Sequence, residues 1–280
     1  MTGKHHRNRF NRNTLMNDKH HPRKRFGQHF LHDRNVIEKI IRAINPSPDE
    51  TIVEIGPGQG AITLPLLKLS GKLHVVEIDR DLAQHITELC ENSGTIHMHC
   101  VDVLEFDFRN IPDHKLKIVG NLPYNISTPL IFHLLDQINN IKEMIFMLQE
   151  EVVDRITAVP GNKIYGRLSV MVQSLCTVEK LFHVSPGAFN PPPKVDSAVV
   201  KLVPLKRNIV KIDNRAAFEL IVRECFSQRR KTLRNALRNH LSNEHIQSID
   251  IDPGLRPERL TIDQFAALAN LYNHQYKSIG

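Results

Sequence analysis

No stretch of the sequence approaches the ~18 consecutive apolar residues that a membrane-spanning helix needs, so no membrane association is expected. The N-terminus is basic but no apolar segment follows it, which argues against a secretory signal. Cysteine is scarce: Cys90, Cys100, Cys176 and Cys225 are scattered without Cys-x-x-Cys spacing. That usage predicts reduced thiols in a cytoplasmic protein rather than a disulfide framework. Acids are nearly missing from the first 25 residues, where eight Lys/Arg face Asp18 alone. A transit peptide also lacks acids, but this arm has neither Ser enrichment nor an apolar face.

What is present is enough for a sizeable core. The chain has 280 residues, 41% of them hydrophobic, which suits two domains or one large one at roughly 150 residues per domain. The net charge of +7 is unevenly placed. A second basic run, Arg223 to Arg238, has six bases against Glu224, whereas residues 47–113 hold twelve acids against four bases. Basic segments of this kind most often release counterions from a polyanion, and nucleic acid is the leading partner. The plainer reading is a solvated tail and a solvated helix face.

Past the basic arm (1–25), strand-like and helix-like pieces alternate. Helical stretches are expected at Val36–Ile44, Ala61–Leu69, Leu82–Cys90 and about Pro129–Ile138. Strands are expected at Thr51–Ile55, Leu73–Ile78, Ile96–Cys100, Lys117–Leu122, Met144–Leu148 and from Val195 to Val203. Such alternation calls for a largely parallel sheet covered on both faces. An α/β fold follows, Rossmann-like, with about seven strands of which the last hairpin reverses direction. After Leu205 only helical periodicity remains: Thr261 and Gln264 form a capping box, and Phe265, Leu268, Ala269 and Tyr272 share one helix face. A catalytic domain over 26–205 and a small all-helical domain over 206–280 are therefore expected.

The first strand ends in Gly56-x-Gly58-x-x-Ala61, and Glu77 stands 21 residues after Gly56 at the end of the second strand. Glycines there allow a sharp turn and close approach of a ligand, and a carboxylate at that strand end can accept both ribose hydroxyls. On these features a nicotinamide dinucleotide and S-adenosylmethionine compete evenly, with a ligand-free turn as the bland alternative. Asp102, directly after the third strand, is placed to accept from an adenine amino group. The fourth strand then ends in Asn121-Leu122-Pro123-Tyr124. Ligands of open α/β sheets bind beyond the carboxyl ends of the strands, so all these residues converge on one crevice.

That tetrapeptide suits chemistry on an exocyclic adenine amine, a poor nucleophile because its lone pair is delocalised. Two carbonyl oxygens that accept the amine's hydrogens, the Asn121 side chain and the Leu122 backbone, draw the nitrogen toward tetrahedral geometry. Pro123 holds Leu122 extended and aims its carbonyl. Tyr124 offers a stacking face, an interaction of about 1–3 kcal/mol. With a sulfonium methyl as electrophile, what remains is in-line positioning.

The sequence resembles the ribosomal small-subunit RNA adenine dimethyltransferase family. The resemblance rests on Arg25-Phe26-Gly27-Gln28-His29-Phe30-Leu31, Val53-Glu54-Ile55-Gly56-Pro57-Gly58, Gly120–Ser127, Phe189-Asn190-Pro191-Pro192-Pro193-Lys194-Val195-Asp196-Ser197 and Arg229-Arg230-Lys231-Thr232-Leu233-Arg234-Asn235, and extends over about residues 25–272. It implies a class I methyltransferase fold, S-adenosylmethionine as donor, no metal, and dimethylation of two neighbouring adenines in a hairpin loop near the 3′ end of 16S rRNA. A monomer acting on immature small ribosomal subunits is the implied form. Matched residue by residue, the cofactor would meet His29, Leu31, Gly56, Gly58, Glu77, Asp102 and Asn121. The family usually has Asn where His29 stands. Phe189 resembles a second aromatic that would close over the flipped adenine opposite Tyr124.

Arg229, Arg230, Lys231, Arg234 and Arg238 are expected on one helix, with Phe226, Leu233 and Leu237 inward and Arg230, Arg234 and Arg238 on a shared phosphate-tracking face. His97, His99 and Cys100 lack a nearby third ligand and are read as ordinary strand residues. Three other functions fit parts of the pattern: a large-subunit rRNA dimethyltransferase, a non-catalytic RNA-binding assembly factor, and a nicotinamide dehydrogenase.

Overall fold

The computed structural model describes residues 29–113, 115–206, 210–228 and 230–277. The basic arm, the Arg25–Gln28 part of the first motif and Arg229 lie outside them. The chain runs β1 (Phe30–Leu31), α1 (Arg34–Ile44), β2 (Ile52–Ile55), α2 (Thr63–Ser70), β3 (Lys72–Val76), α3 (Arg80–Cys90), β4 (Thr95–His99), β5 (Leu116–Asn121), α4 (Ser127–Asp136), β6 (Ile141–Gln149) and α5 (Glu150–Thr157). It continues with α6 (Arg167–Gln173), β7 (Cys176–Val184), β8 (Phe189–Asn190), β9 (Ser197–Pro204), α7 (Arg215–Ser227), α8 (Leu233–Ala236), α9 (Asn243–Gln247) and α10 (Ile262–Lys277).

Seven strands form one sheet in the order β4-β3-β2-β5-β6-β9-β7. Strands β2 to β6 pair parallel, and β9 runs antiparallel to both of its neighbours, β6 and β7. The apolar runs dictate this arrangement, because a strand covered on both faces must be apolar at successive positions. Adjacent residues accordingly face opposite cores. Ile118 and Phe146 pack with Leu134, Phe108, Phe218 and Phe265, whereas Val119 and Ile145 pack with Ile44, Leu66 and Val199. The helices after Pro204 share the first of these clusters, through Phe218, Ile221, Leu233, Leu237 and Leu268. Local signals set the helix ends. Asp33 accepts from the backbone N–H groups of Asn35 and Val36 to start α1, and Asn45 closes it in the left-handed region. The Thr261–Gln264 capping box forms in both directions and starts α10.

Chain order moves outward from β2 to β3 to β4 and then returns to the other side of β2 at β5. Connections after β2 and β5 therefore diverge to opposite faces and leave a crevice between the two strand ends. Gly120 lets β5 come close there: a Cβ on it would sit 2.5 Å from the Ile55 carbonyl oxygen.

Two expectations differ from the structure. Strand β7 and helices α5 and α6 were not predicted. β7 is a sheet edge with Glu179 and Lys180 exposed and a register shift between Lys180 and Phe182, so its sequence carries no clean alternation. The basic run is also not one helix. α7 ends at Ser227, Gln228 is extended, Arg230 has φ +73° and Thr232 is extended again before the short α8. Arg230, Arg234 and Arg238 consequently do not line up along a helix, although all three are exposed and Leu233 and Leu237 are buried.

Candidate functional site

A cavity of about 150 Å³ opens at the crevice. It is lined by every residue expected to meet a cofactor (His29, Leu31, Gly56, Gly58, Glu77, Asp102 and Asn121) and by Leu122, Pro123 and Tyr124. Five segments distant in sequence thus deliver residues at or near strand ends to one space. Gly56, at φ +66°, turns the chain out of β2. Glu77 follows β3 directly and accepts from the Asp79 N–H at 2.8 Å. Asp102 accepts from the Leu104 N–H at 2.9 Å, which fixes its carboxylate just beyond β4.

The Asn-Leu-Pro-Tyr segment is held from several sides. Asn121 Nδ2 donates to the His29 carbonyl at 3.2 Å, so the amide is turned with its oxygen left to accept a further hydrogen bond. The Leu122 N–H donates to Met147 O of β6, and its side chain is buried, which anchors the residue whose carbonyl was expected to act. The Pro123 carbonyl accepts from the Ile126 N–H and from Ser127 Oγ, closing the turn into α4. Tyr124 hydroxyl and Ser197 Oγ lie 2.8 Å apart, and the Tyr124 ring stacks on His29 at 5.8 Å and 28°.

Phe189 does not line this cavity. It is 2% exposed and packs in the core with Leu31, Val184 and Val199, because β8 pairs antiparallel with β1 and brings Phe189 opposite Leu31. The expected stacking partner across from Tyr124 is therefore a core residue in this structure.

Glu54 is a further cavity residue that the sequence reading did not single out. It lies in the middle of β2, is 1% exposed, and its Oε2 has no hydrogen-bond partner among the described residues. Burial pushes its carboxyl up to about 8, with the neighbouring Glu77 adding to the rise and the nearby Thr63 hydroxyl opposing it. Glu77 is raised to about 7, chiefly by burial, with the Asp79 charge reinforcing it against the hydrogen bond from the Asp79 backbone. Two carboxylates meeting in a poorly solvated cavity create a demand for positive charge or for hydroxyl donors. A charged residue interrupting the otherwise apolar Ile52-Val53-Glu54-Ile55 was the signal available in the sequence.

His97 and His99 share a face with His74, whose Nδ1 lies 3.1 Å from His99 Nε2, and the rings stack. Among the described residues no group of three His, Cys, Asp or Glu is placed to hold a metal ion. Likewise none of their helices is long and apolar enough to cross a membrane.

Comparison with known proteins decides the family. The family described as Ribosomal RNA adenine dimethylase matches residues 19–274. The chain belongs to this family. It is 54% identical over 255 residues to the Ribosomal RNA small subunit methyltransferase A of Nitrosococcus oceani, covering 90% of this chain and 97% of that protein. The protein of the same description from Marinobacter nauticus is 52% identical over 253 residues, covering 90% of this chain and 92% of the relative. Among solved structures, a dimethyladenosine transferase from Plasmodium falciparum superposes with a TM-score of 0.78 at 28% identity, over 89% of this chain and 98% of that one. The 23S rRNA methyltransferase ErmE shares the fold, with a TM-score of 0.67 at 24% identity over 87% of this chain and 99% of its own. The chain is thus a class I, S-adenosylmethionine-dependent rRNA adenine dimethyltransferase. The cavity suits that donor: the orphaned Glu54 carboxylate oxygen and the raised Glu77 supply the negative and acceptor groups that a cationic nucleoside calls for.

Proposed function

We propose that the protein dimethylates the exocyclic amines of two adjacent adenines in the 3′-terminal hairpin loop of 16S rRNA. In this reading it works as a monomer in the cytoplasm, on immature small ribosomal subunits. Identity of 54% to a small-subunit methyltransferase over nearly the whole of both chains supports the choice of subunit. The observation that carries the chemistry is the convergence of Asn121, Leu122 and Tyr124 with Glu54, Glu77 and Asp102 on one cavity.

The lining of the cavity supports the following division of labour. Gly56 and Gly58 bring backbone to the donor, Glu77 takes its ribose hydroxyls, Asp102 takes its adenine amine, and Glu54 faces its positive charge. His29 and Leu31 close the cavity from the N-terminal side. S-adenosylmethionine, when bound, supplies a methyl group already activated as a sulfonium. The target adenine must leave its stack to reach the cavity, which favours a loop base. Tyr124 receives its face, and the Asn121 side-chain and Leu122 backbone carbonyls accept its amine hydrogens. The hydrogen bond from Asn121 Nδ2 to His29 keeps the amide oxygen, not the nitrogen, available for this. Exposed Arg230, Lys231, Arg234 and Arg238 are the groups this reading assigns to RNA phosphates.

The test is methyl incorporation from labelled S-adenosylmethionine into purified small and large subunits that lack the modification, followed by nucleoside analysis. The expected product is N6,N6-dimethyladenosine in the small subunit alone. Label in the large subunit, or none in either, would refute the proposal.

A further inference from the structure

The ring of His29 is held by two contacts that its backbone does not explain. Its Nδ1 lies 2.8 Å from the Pro191 carbonyl oxygen. A carbonyl can only accept, so Nδ1 carries the proton and the imidazole donates. The same ring stacks on Tyr124, centroid to centroid 5.8 Å at 28°, within the range of an offset aromatic pair. Through its backbone oxygen, His29 also accepts from Asn121 Nδ2. One residue therefore touches two of the three members of the Asn-Leu-Pro-Tyr motif that handle the base, Asn121 and Tyr124, and ties them to the Pro191–Ser197 loop.

The far end of that loop grips Tyr124 a second time, through the Ser197 hydroxyl at 2.8 Å. Short strand β1 fixes the distance between the grips, since Phe30 pairs with Asn190 and Leu31 with Phe189 immediately beside His29 and Pro191. The Tyr124 ring is thus stacked against the imidazole and held at its hydroxyl.

We propose that His29 is a positioning residue for the target adenine: its ring backs Tyr124 so that a flipped base stacks on the other face, while its carbonyl aims the Asn121 amide. This inference rests on the reading of Asn121 and Tyr124 given under Proposed function. An Asn at position 29 would keep the carbonyl and could reach Pro191, but would offer no ring. The backing stack is a property of this chain's His.

The experiment compares wild type with His29→Ala, His29→Asn and His29→Phe. It measures steady-state methyl transfer to unmodified small subunits, calorimetric binding of S-adenosylmethionine to the free chain, and melting temperature. His29→Ala and His29→Asn should each lower kcat about tenfold, a larger change than any in donor Kd. His29→Phe keeps a stacking ring and should fall only about threefold. Melting temperatures show which variants remain folded, and Phe against Asn carries the comparison if the Ala variant does not fold. A tenfold weaker donor Kd with unchanged kcat would make His29 a donor contact instead. Equal or higher kcat in the Ala and Asn variants would mean that the ring stands in the base's own place, or does nothing. Either result overturns the inference. An inactive wild type would refute the proposed function itself, a distinct outcome.

Discussion

Donor binding should tighten as pH rises from about 6 to about 8.5. The two buried carboxyls of the cavity, Glu54 and Glu77, are raised from 4.5 to about 8 and about 7 in the free protein. A donor that brings positive charge and ribose hydroxyls to them favours their ionised forms, so binding expels protons that the free protein holds. At about pH 6 Glu77 is roughly nine-tenths protonated, and ionising it costs about one pKa unit, or about 1.4 kcal/mol. Affinity should therefore improve about tenfold across this range from Glu77 alone, and further from Glu54. The stability of the free protein moves the other way. Both groups have folded-state values above their unfolded ones, so their contribution is complete below about pH 4.5 and is lost as pH rises through about 7 and 8. Calorimetric titration at several pH values, corrected for buffer ionisation, measures the first effect. Thermal melts with and without donor measure the second. A donor Kd that stays flat from about pH 6 to about 8.5 would refute the reasoning. Glu77→Gln should remove its own share of the slope, about tenfold, and leave the part due to Glu54.

Replacing Arg230 and Arg234 with Ala should weaken RNA binding and make its log–log salt dependence shallower by about 1.5, since each lost phosphate contact removes about 0.7–0.9 of slope. An unchanged slope would take this surface out of the RNA interface. Lys117, 3% exposed, lies 2.7 Å from Glu50 and 3.0 Å from Glu143, and donates to the Ile44 carbonyl. Lys117→Met should cost about 3 kcal/mol in urea unfolding, the lower end of the range for a broken buried pair, because Lys142 and Lys201 still face the two acids. A loss under about 1 kcal/mol would show that the pair is dispensable. Burial alone would raise Glu143, but hydrogen bonds from Lys201 and Lys117 outweigh it and hold the group below its ordinary value, and Lys117 and Lys142 do the same for Glu50. Their stabilisation is present above about pH 4.5 and lost below it, which acid denaturation of wild type and Lys117→Met would resolve.

The central parallel strands β2, β5 and β6 were legible because they are buried on both faces and read as near-apolar runs, whereas edge strand β4 is half exposed. The strand ends were legible because glycine and acid residues interrupt those runs where a ligand approaches. That is why the pattern of residues alone brings Gly56, Glu77, Asp102 and Asn121 to one crevice. Edge strand β7 escaped because one row of its backbone partners is missing and its side chains are half solvated. Spacing by four placed Arg230, Arg234 and Arg238 on one face, but spacing cannot register a residue at φ +73° between two helices. Phe189 was aimed at the base by analogy, whereas the two-residue pairing of β1 with β8 draws it into the core. The ring contacts of His29 span 95 and 162 residues of chain to Tyr124 and Pro191, and no local pattern encodes them.

The central claim is that the Asn121 carbonyl helps hold the adenine amine for transfer. Single-turnover methyl transfer by Asn121→Ala, measured beside its affinity for S-adenosylmethionine, tests it most directly. Loss of one preorganised polar contact to the reacting group predicts a fall of about 10² to 10³ in rate, with donor Kd within a few fold of wild type. Turnover near the wild-type rate by a variant that still binds donor would contradict the account.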